Sequence, residues 1–201
     1  MSIKSFNTSQ RMSNVQLPII PIVSNLIKKN PGTISLGQGV VYYGPPQKVF
    51  DTITQLNYSS DYHVYSEVEG ISNLRSIMIE KLLCENKINL NNKSDLIVSA
   101  GSNMAFMNAV MAITDPGDEI ILLRPYYFNH EMAINMISCN VIIVDTKSNY
   151  QPCLDKIMNA ITPLTKAVVT VSPNNPSGAV YNATALQEIN KLCKEKGIYH
   201  I

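Results

Sequence analysis

From residue 96 to the last residue, short unbroken apolar runs alternate with stretches of helical spacing, and few folds accept that pattern. Residues 96–99, 119–123, 141–144 and 167–171 read as strands, and 198–201 begins another. Between them, 102–113, 129–136, 154–161 and 183–196 read as helices, the last stopping at Gly197, a residue suited to a left-handed cap. Strand and helix in strict turn predict βαβ units and a mostly parallel sheet. The strands are apolar throughout and do not alternate, as expected when helices cover both faces. In such sheets ligands bind outside the carboxyl ends of the strands, so the residues just after each strand are where chemistry is sought.

The first 60 residues differ. Pro18, Pro21, Pro31, Pro45 and Pro46 break them into short pieces. Residues 15–29 and 47–56 each suit one short helix, and a Gly-rich segment at 34–46 separates them. A longer helix is expected over 71–85, with Leu74, Ile77, Met78 and Leu82 on one apolar stripe. Hydrophobic residues make up 45% of the 201, enough for a sizeable core. A net charge of +1 gives no support to nucleic acid or an anionic membrane as the main partner. No apolar run reaches the roughly 18 residues of a membrane span, and residues 1–13 lack the apolar stretch of a secretion signal. Four scattered cysteines without a Cys-x-x-Cys pair point to buried free thiols in a reducing, cytoplasmic setting.

Three segments carry the chemistry. After 96–99 comes a Gly turn and a helix start, with Ser102 and Asn103 beside free backbone N–H groups. A phosphate is a natural guest there, and an ordinary helix cap is the plainer explanation. After 119–123 comes Arg124-Pro-Tyr-Tyr-Phe-Asn-His130, whose aromatics offer a flat face for a ring or pack against a helix. His130 has no second ligand at metal-binding spacing, and no metal site is assigned. After 167–171 comes Ser172-Pro-Asn-Asn-Pro-Ser-Gly178, a turn able to hold the amide of Asn174 or Asn175 rigidly toward a ligand oxygen. At one sheet edge, the three would suit a planar, phosphorylated, aromatic ligand.

These segments resemble the class I and II aminotransferases, the fold-type-I pyridoxal-phosphate enzymes. The likeness rests on Ser-Leu-Gly-Gln-Gly at 35–39, Tyr-Ser-Glu-Val-Glu-Gly at 65–70 with Leu74 and Arg75, and Ala-Gly-Ser-Asn at 100–103. It continues through Asp-Pro-Gly-Asp-Glu at 115–119, Pro-Tyr-Tyr at 125–127 and Asn-Pro-Ser-Gly at 175–178. Residues 38–42, 125–129 and 172–176 are most similar to a branch of cyanobacteria and plants acting on aromatic amino acids or methionine. The resemblance implies an α/β fold that is an incomplete fold-type-I large domain with an N-terminal arm. Residues 1–60 would form the arm and part of the small domain, and 61–201 the first part of the cofactor-binding domain. It implies pyridoxal 5'-phosphate held by Ser102 and Asn103 at the phosphate, Tyr127 on the ring and Asn175 at the phenolic oxygen. Tyr65 would reach a partner subunit's cofactor phosphate in a homodimer, and Gly39, with Asn175, would lie beside the substrate.

The resemblance also sets out what these residues do not hold. The family's covalent lysine lies in a Ser-x-x-Lys context that no lysine here shares; Lys28, Lys29, Lys191, Lys194 and Lys196 read as solvated helix charges. The aspartate at the ring nitrogen would follow 198–201. No catalytic residue is therefore assigned, and the expectation is a truncated aminotransferase, inactive alone, whose substrates would be an amino acid and a 2-oxo acid. A split enzyme completed by a second chain and a non-catalytic binding module are the alternatives. The strand at 96–99 would lack its family neighbour, and 198–201 would have one open side.

Overall fold

The computed structural model describes residues 9–15, 19–37, 39, 41–55, 63–91 and 94–201. Residues 1–8, 16–18, 38, 40, 56–62 and 92–93 lie outside these. With them fall the start of the N-terminal stretch, part of the first expected helix, the end of the second and part of the Gly-rich segment. The chain divides into two compact units, Met1–Gln16 with Ser99–Ile201, and Leu17–Val98.

The first unit is built on a four-stranded parallel sheet in the order β2-β1-β3-β4, with β1 Glu119–Arg124, β2 Asn140–Asp145, β3 Thr165–Val169 and β4 Tyr199–His200. A 3-10 helix at Gln10–Asn14 belongs to this unit. Its α-helices are α4 Gly101–Ile113, α5 Phe128–Met136, α6 Leu154–Ala160 and α7 Ala183–Lys196. The second unit holds α1 Ile19–Lys29, α2 Gln47–Gln55 and α3 Ser72–Asn86.

The side-chain alternation of β1 explains why an unbroken apolar run was needed. Ile120 and Leu122 point into one core with Phe106 and Val110 of α4 and Ala133 and Ile134 of α5. Ile121 and Leu123 point into the other, with Ile157 of α6 and Ile189, Leu192 and Cys193 of α7. All four β1 residues are buried, so helices do cover both faces. At the end of α7, Gly197 adopts φ +68° in the left-handed region, and its N–H donates to the carbonyls of Cys193 and Lys194. Lys194 and Lys196 in that last turn suit the negative end of the helix dipole.

One expectation needs correction. Residues 96–99 form no strand: Ile97 is 70% exposed, and the sheet does not include them. A strand exists only through pairing, and this extended segment has other tethers. The Val98 N–H donates to the Glu69 carbonyl (2.9 Å), and Arg75 Nε donates to the Leu96 carbonyl (2.9 Å) while its guanidinium also pairs with Asp95. The helix expected over 71–85 forms as α3, and its stripe is left uncovered: Leu74 and Ile77 are exposed, and no residue of that helix is buried. Among the described residues β4 pairs with β3 alone and forms one edge of the sheet.

All four cysteines are free, with Cys139 and Cys193 buried, Cys153 half-buried and Cys84 exposed. Burial thus describes only some of the thiols. Among the described residues no helix is long and apolar enough to cross a membrane.

Gly70 has φ +105°, and a Cβ there would lie 2.7 Å from Val98 Cγ2. Gly70→Ala is expected to lose about 1–3 kcal/mol locally. Hydrogen exchange of the α3 and 94–98 amides measures it, and unchanged protection would refute it.

Candidate functional site: the carboxyl edge of the sheet

The parallel strands put the segments after β1 and β3 at one edge of the first unit, and each carries a candidate residue. At α4 the helix begins directly at Gly101, whose φ of +82° turns the chain, and Ala100 at the cap position makes no side-chain cap bond. The capping explanation for Ser102 and Asn103 therefore fails: both lie inside the first turn, exposed, and neither side chain has a hydrogen-bond partner among the described residues. No acidic side chain occupies this first turn, so the positive helix end meets no internal anion. A Cβ at Gly101 would meet nothing within 4 Å, which leaves the turn open to a guest.

Tyr127, half-buried, caps α5 and presents its ring at the end of the loop after β1. Asn129 Nδ2 donates to its hydroxyl at 2.6 Å. His130 meets the ring edge-on, with centroids 5.4 Å apart and planes at 89°. On its other side His130 stacks on Phe106 of α4 at 4.1 Å. Tyr127 is thus braced against the helix that begins at the phosphate-suited turn. Asn103 and Asn129 line one groove of about 260 Å³, with Met104, Met107 and Met132. Burial pushes the His130 imidazole below its usual pKa, toward the neutral form, and its Nδ1 is buried without a hydrogen-bond partner.

The turn after β3 separates its two asparagines. Asn174 is 5% exposed and its amide is fully engaged inside the protein. Asn175 is exposed, and its amide bonds to no described residue. Of the two asparagines that the sequence left open, Asn175 is the one free to meet a ligand. Gly39 and Tyr65 belong to the second unit, where both are exposed; Tyr65 has no ring or hydrogen-bond partner among the described residues. The structure brings Ser102, Asn103, Tyr127 and Asn175 together in one unit.

Sequence reasoning missed the supporting residues. Phe106 sits at a helical core position and looks like any buried aromatic. Arg124 is exposed but paired: its guanidinium meets Asp145 at 2.6 Å, tying the ends of β1 and β2. That hydrogen bond holds the Asp145 carboxyl below its ordinary pKa and raises that of Arg124. The five lysines considered as internal bases are all exposed, and Lys191 lies 3.8 Å from Glu195.

Comparison with known proteins follows the same line. The family model for aminotransferase class I and II matches residues 31–201. The chain belongs to that family. It is 33% identical over 198 residues to the aromatic aminotransferase ISS1 of Arabidopsis thaliana, covering 96% of this chain and 50% of that protein. To a probable aspartate/prephenate aminotransferase of Aquifex aeolicus it is 39% identical, over 68% of this chain and 35% of that one. Its backbone superposes on the aspartate aminotransferase from Thermus thermophilus with maleate at a TM-score of 0.86 and 28% identity, covering 98% of this chain and 52% of that one. The fold is therefore the mixed α/β fold of the fold-type-I aminotransferases, and the chain spans at most about half the length of these relatives.

Proposed function

We propose that this chain is the cofactor-cradling half of a pyridoxal-phosphate aminotransferase that moves an amino group between an amino acid and a 2-oxo acid, and that it is inactive alone. Family membership makes pyridoxal phosphate the expected cofactor. The observation that carries the site reading is the contrast within one turn between an amide that is consumed, Asn174, and one that is free, Asn175. The free donors fit the group: an uncapped helix start for a dianionic phosphate, a braced aromatic face for a pyridine ring and a rigid amide for its phenolic oxygen.

When bound, the cofactor supplies an electron sink for the α-carbon of an amino acid. The chain's own residues bind and orient. The backbone N–H groups at the start of α4, with Ser102 and Asn103, would hold the phosphate by hydrogen bonds. Tyr127 would stack on the ring, and Asn175 would donate to its phenolic oxygen. Gly39 and Asn175 are assigned to the substrate, Gly39 at its carboxylate, and Tyr65 to a partner subunit in a homodimer. Residues 1–60 are assigned to the arm and small domain, and the working compartment to the cytoplasm. No lysine here is assigned to move the proton: Lys28, Lys29, Lys191, Lys194 and Lys196 are all exposed.

Exposed apolar side chains favour completion by further protein over a self-sufficient binding module. Ile19, Ile22 and Leu26 of α1 are each more than half exposed, as is Tyr199 on the open strand β4. The same exposure predicts that the isolated chain associates; a monomeric, sharply melting species would contradict that.

The test compares pyridoxal phosphate with pyridoxal. The phosphate-bearing form is expected to bind tighter by at least about tenfold, one charge-assisted hydrogen bond's worth. Ser102→Ala with Asn103→Ala should shrink the difference to the share held by the backbone N–H groups. Equal binding of the two forms by the unsubstituted protein would refute the cradle. Incubation with amino acid, 2-oxo acid and cofactor is expected to give no turnover, and turnover lost on replacing one internal lysine would refute inactivity.

A further inference from the structure

We propose that Asn174 is a positioning residue whose buried amide locks the loop bearing Tyr127 to the turn bearing Asn175, so that the two ring-holding groups form one rigid unit. The proposal rests on the cofactor reading above and deepens it.

Asn174 uses every hydrogen bond its amide can make. Its Nδ2 donates to the Pro125 carbonyl at 3.2 Å and to the Tyr181 hydroxyl at 3.3 Å. Its Oδ1 accepts from the Ser177 N–H at 3.1 Å and the Ser177 hydroxyl at 2.7 Å. The orientation is forced. A carbonyl can only accept, so nitrogen must face Pro125; a backbone N–H can only donate, so oxygen must face Ser177. The backbone of Asn174 is held as well, its N–H donating to the Ala179 carbonyl and its carbonyl accepting from the Gly178 N–H.

A residue serving the turn alone would need only the Ser177 and Gly178 bonds. The bond to Pro125 reaches 49 residues back, to the loop between β1 and Tyr127. Its other partner is anchored too. Tyr181 is 5% exposed in the second core, and its N–H donates to Ser172 Oγ at 2.9 Å. Gln151 brackets it, Nε2 donating to the Val180 carbonyl and Oε1 accepting from the Asn182 N–H. The residue next to Asn174 is Asn175, so any shift of the tie moves the ligand-facing amide relative to the Tyr127 ring. A buried network with every member satisfied is rigid, and a half-satisfied one is costly.

The test uses the whole chain and the ratio of two dissociation constants, for pyridoxal phosphate and for inorganic phosphate. Both ligands use the α4 cradle and only the first uses the ring groups, so a change in folded fraction cancels in the ratio. Asn174→Asp keeps an oxygen for Ser177 but offers no donor to Pro125. It is expected to weaken pyridoxal phosphate about tenfold relative to phosphate. Ser177→Ala, which trims the turn and leaves the tie, should leave the ratio within about twofold. With Tyr127→Ala and Asn175→Ala already present, nothing remains to be positioned, and Asn174→Asp should have no further effect on the ratio. Equal weakening of both ligands by Asn174→Asp, or an unchanged ratio, overturns the proposal. An unsubstituted protein that binds pyridoxal phosphate no better than phosphate overturns the cofactor reading and the proposal with it, and is told apart because no substitution is involved.

Discussion

Leu122→Ala is expected to remove about 2–5 kcal/mol of stability, the range for truncating a fully buried leucine. Leu122 is 1% exposed on an internal strand, in register with Ile143 on one side and Val169 on the other. Its side chain lies in the core formed with Phe106, Val110 and Ile134. Truncation loses the transfer energy of the removed carbons and leaves a cavity that α4 and α5 close only partly. Against a usual total of about 5–15 kcal/mol, that is a large share. Ile143→Ala is the contrast. Ile143 sits on the edge strand β2 at 43% exposure, where less apolar area returns to water. Denaturant unfolding of both variants measures the difference. A loss below about 1 kcal/mol at Leu122 would show that β1 is not the centre of the packed core.

Cys193 is expected to be the slowest cysteine to react with a thiol reagent, and Cys84 the fastest. Burial on the inner face of α7 pushes the Cys193 thiol up to about 11, from an ordinary value of 9.0. At any pH below 9 that alone lowers its thiolate fraction by roughly a hundredfold, before access is counted. Cys84 is exposed at the end of α3. Labelling followed by mass at each cysteine measures the order, and labelling of Cys193 at the rate of Cys84 would contradict the packing. The same shift has a stability consequence. The thiol stays neutral in the fold while the unfolded chain ionises near 9, so the stabilisation is complete below pH 9 and is lost as pH rises toward 11. Cys193→Ala should flatten that part of the stability profile.

The periodicity of the second half was legible because it is a local property. Helix α7 was readable to the residue: Ala183 follows a turn, the apolar positions recur at helical steps, and Gly197 can enter the left-handed region. Strand β1 was readable because four consecutive apolar residues suit a strand with cores on both faces. Residues 96–99 carry the same local signal and form no strand, since pairing requires a neighbour and local composition does not contain one. Helix α3 was legible from its spacing, and its stripe stays outside the core because an apolar face becomes core only where another surface covers it.

The candidate site divides along the same line. The family resemblance singled out Tyr127 and Asn175, while residue type and spacing alone placed Ser102, Asn103 and the aromatics of 126–128 after the expected strands and narrowed the rigid amide to Asn174 or Asn175. Between those adjacent residues of identical chemistry, sequence offers no physical distinction. Tertiary structure makes it, because the Pro125 carbonyl and the Tyr181 hydroxyl close on Asn174 and satisfy its amide completely. The sequence by itself determined most of the elements, their order and the chemistry proposed for the guest. Folding alone decided which amide is spent holding the protein together and which stays exposed, since a buried amide takes its partners from wherever the chain returns.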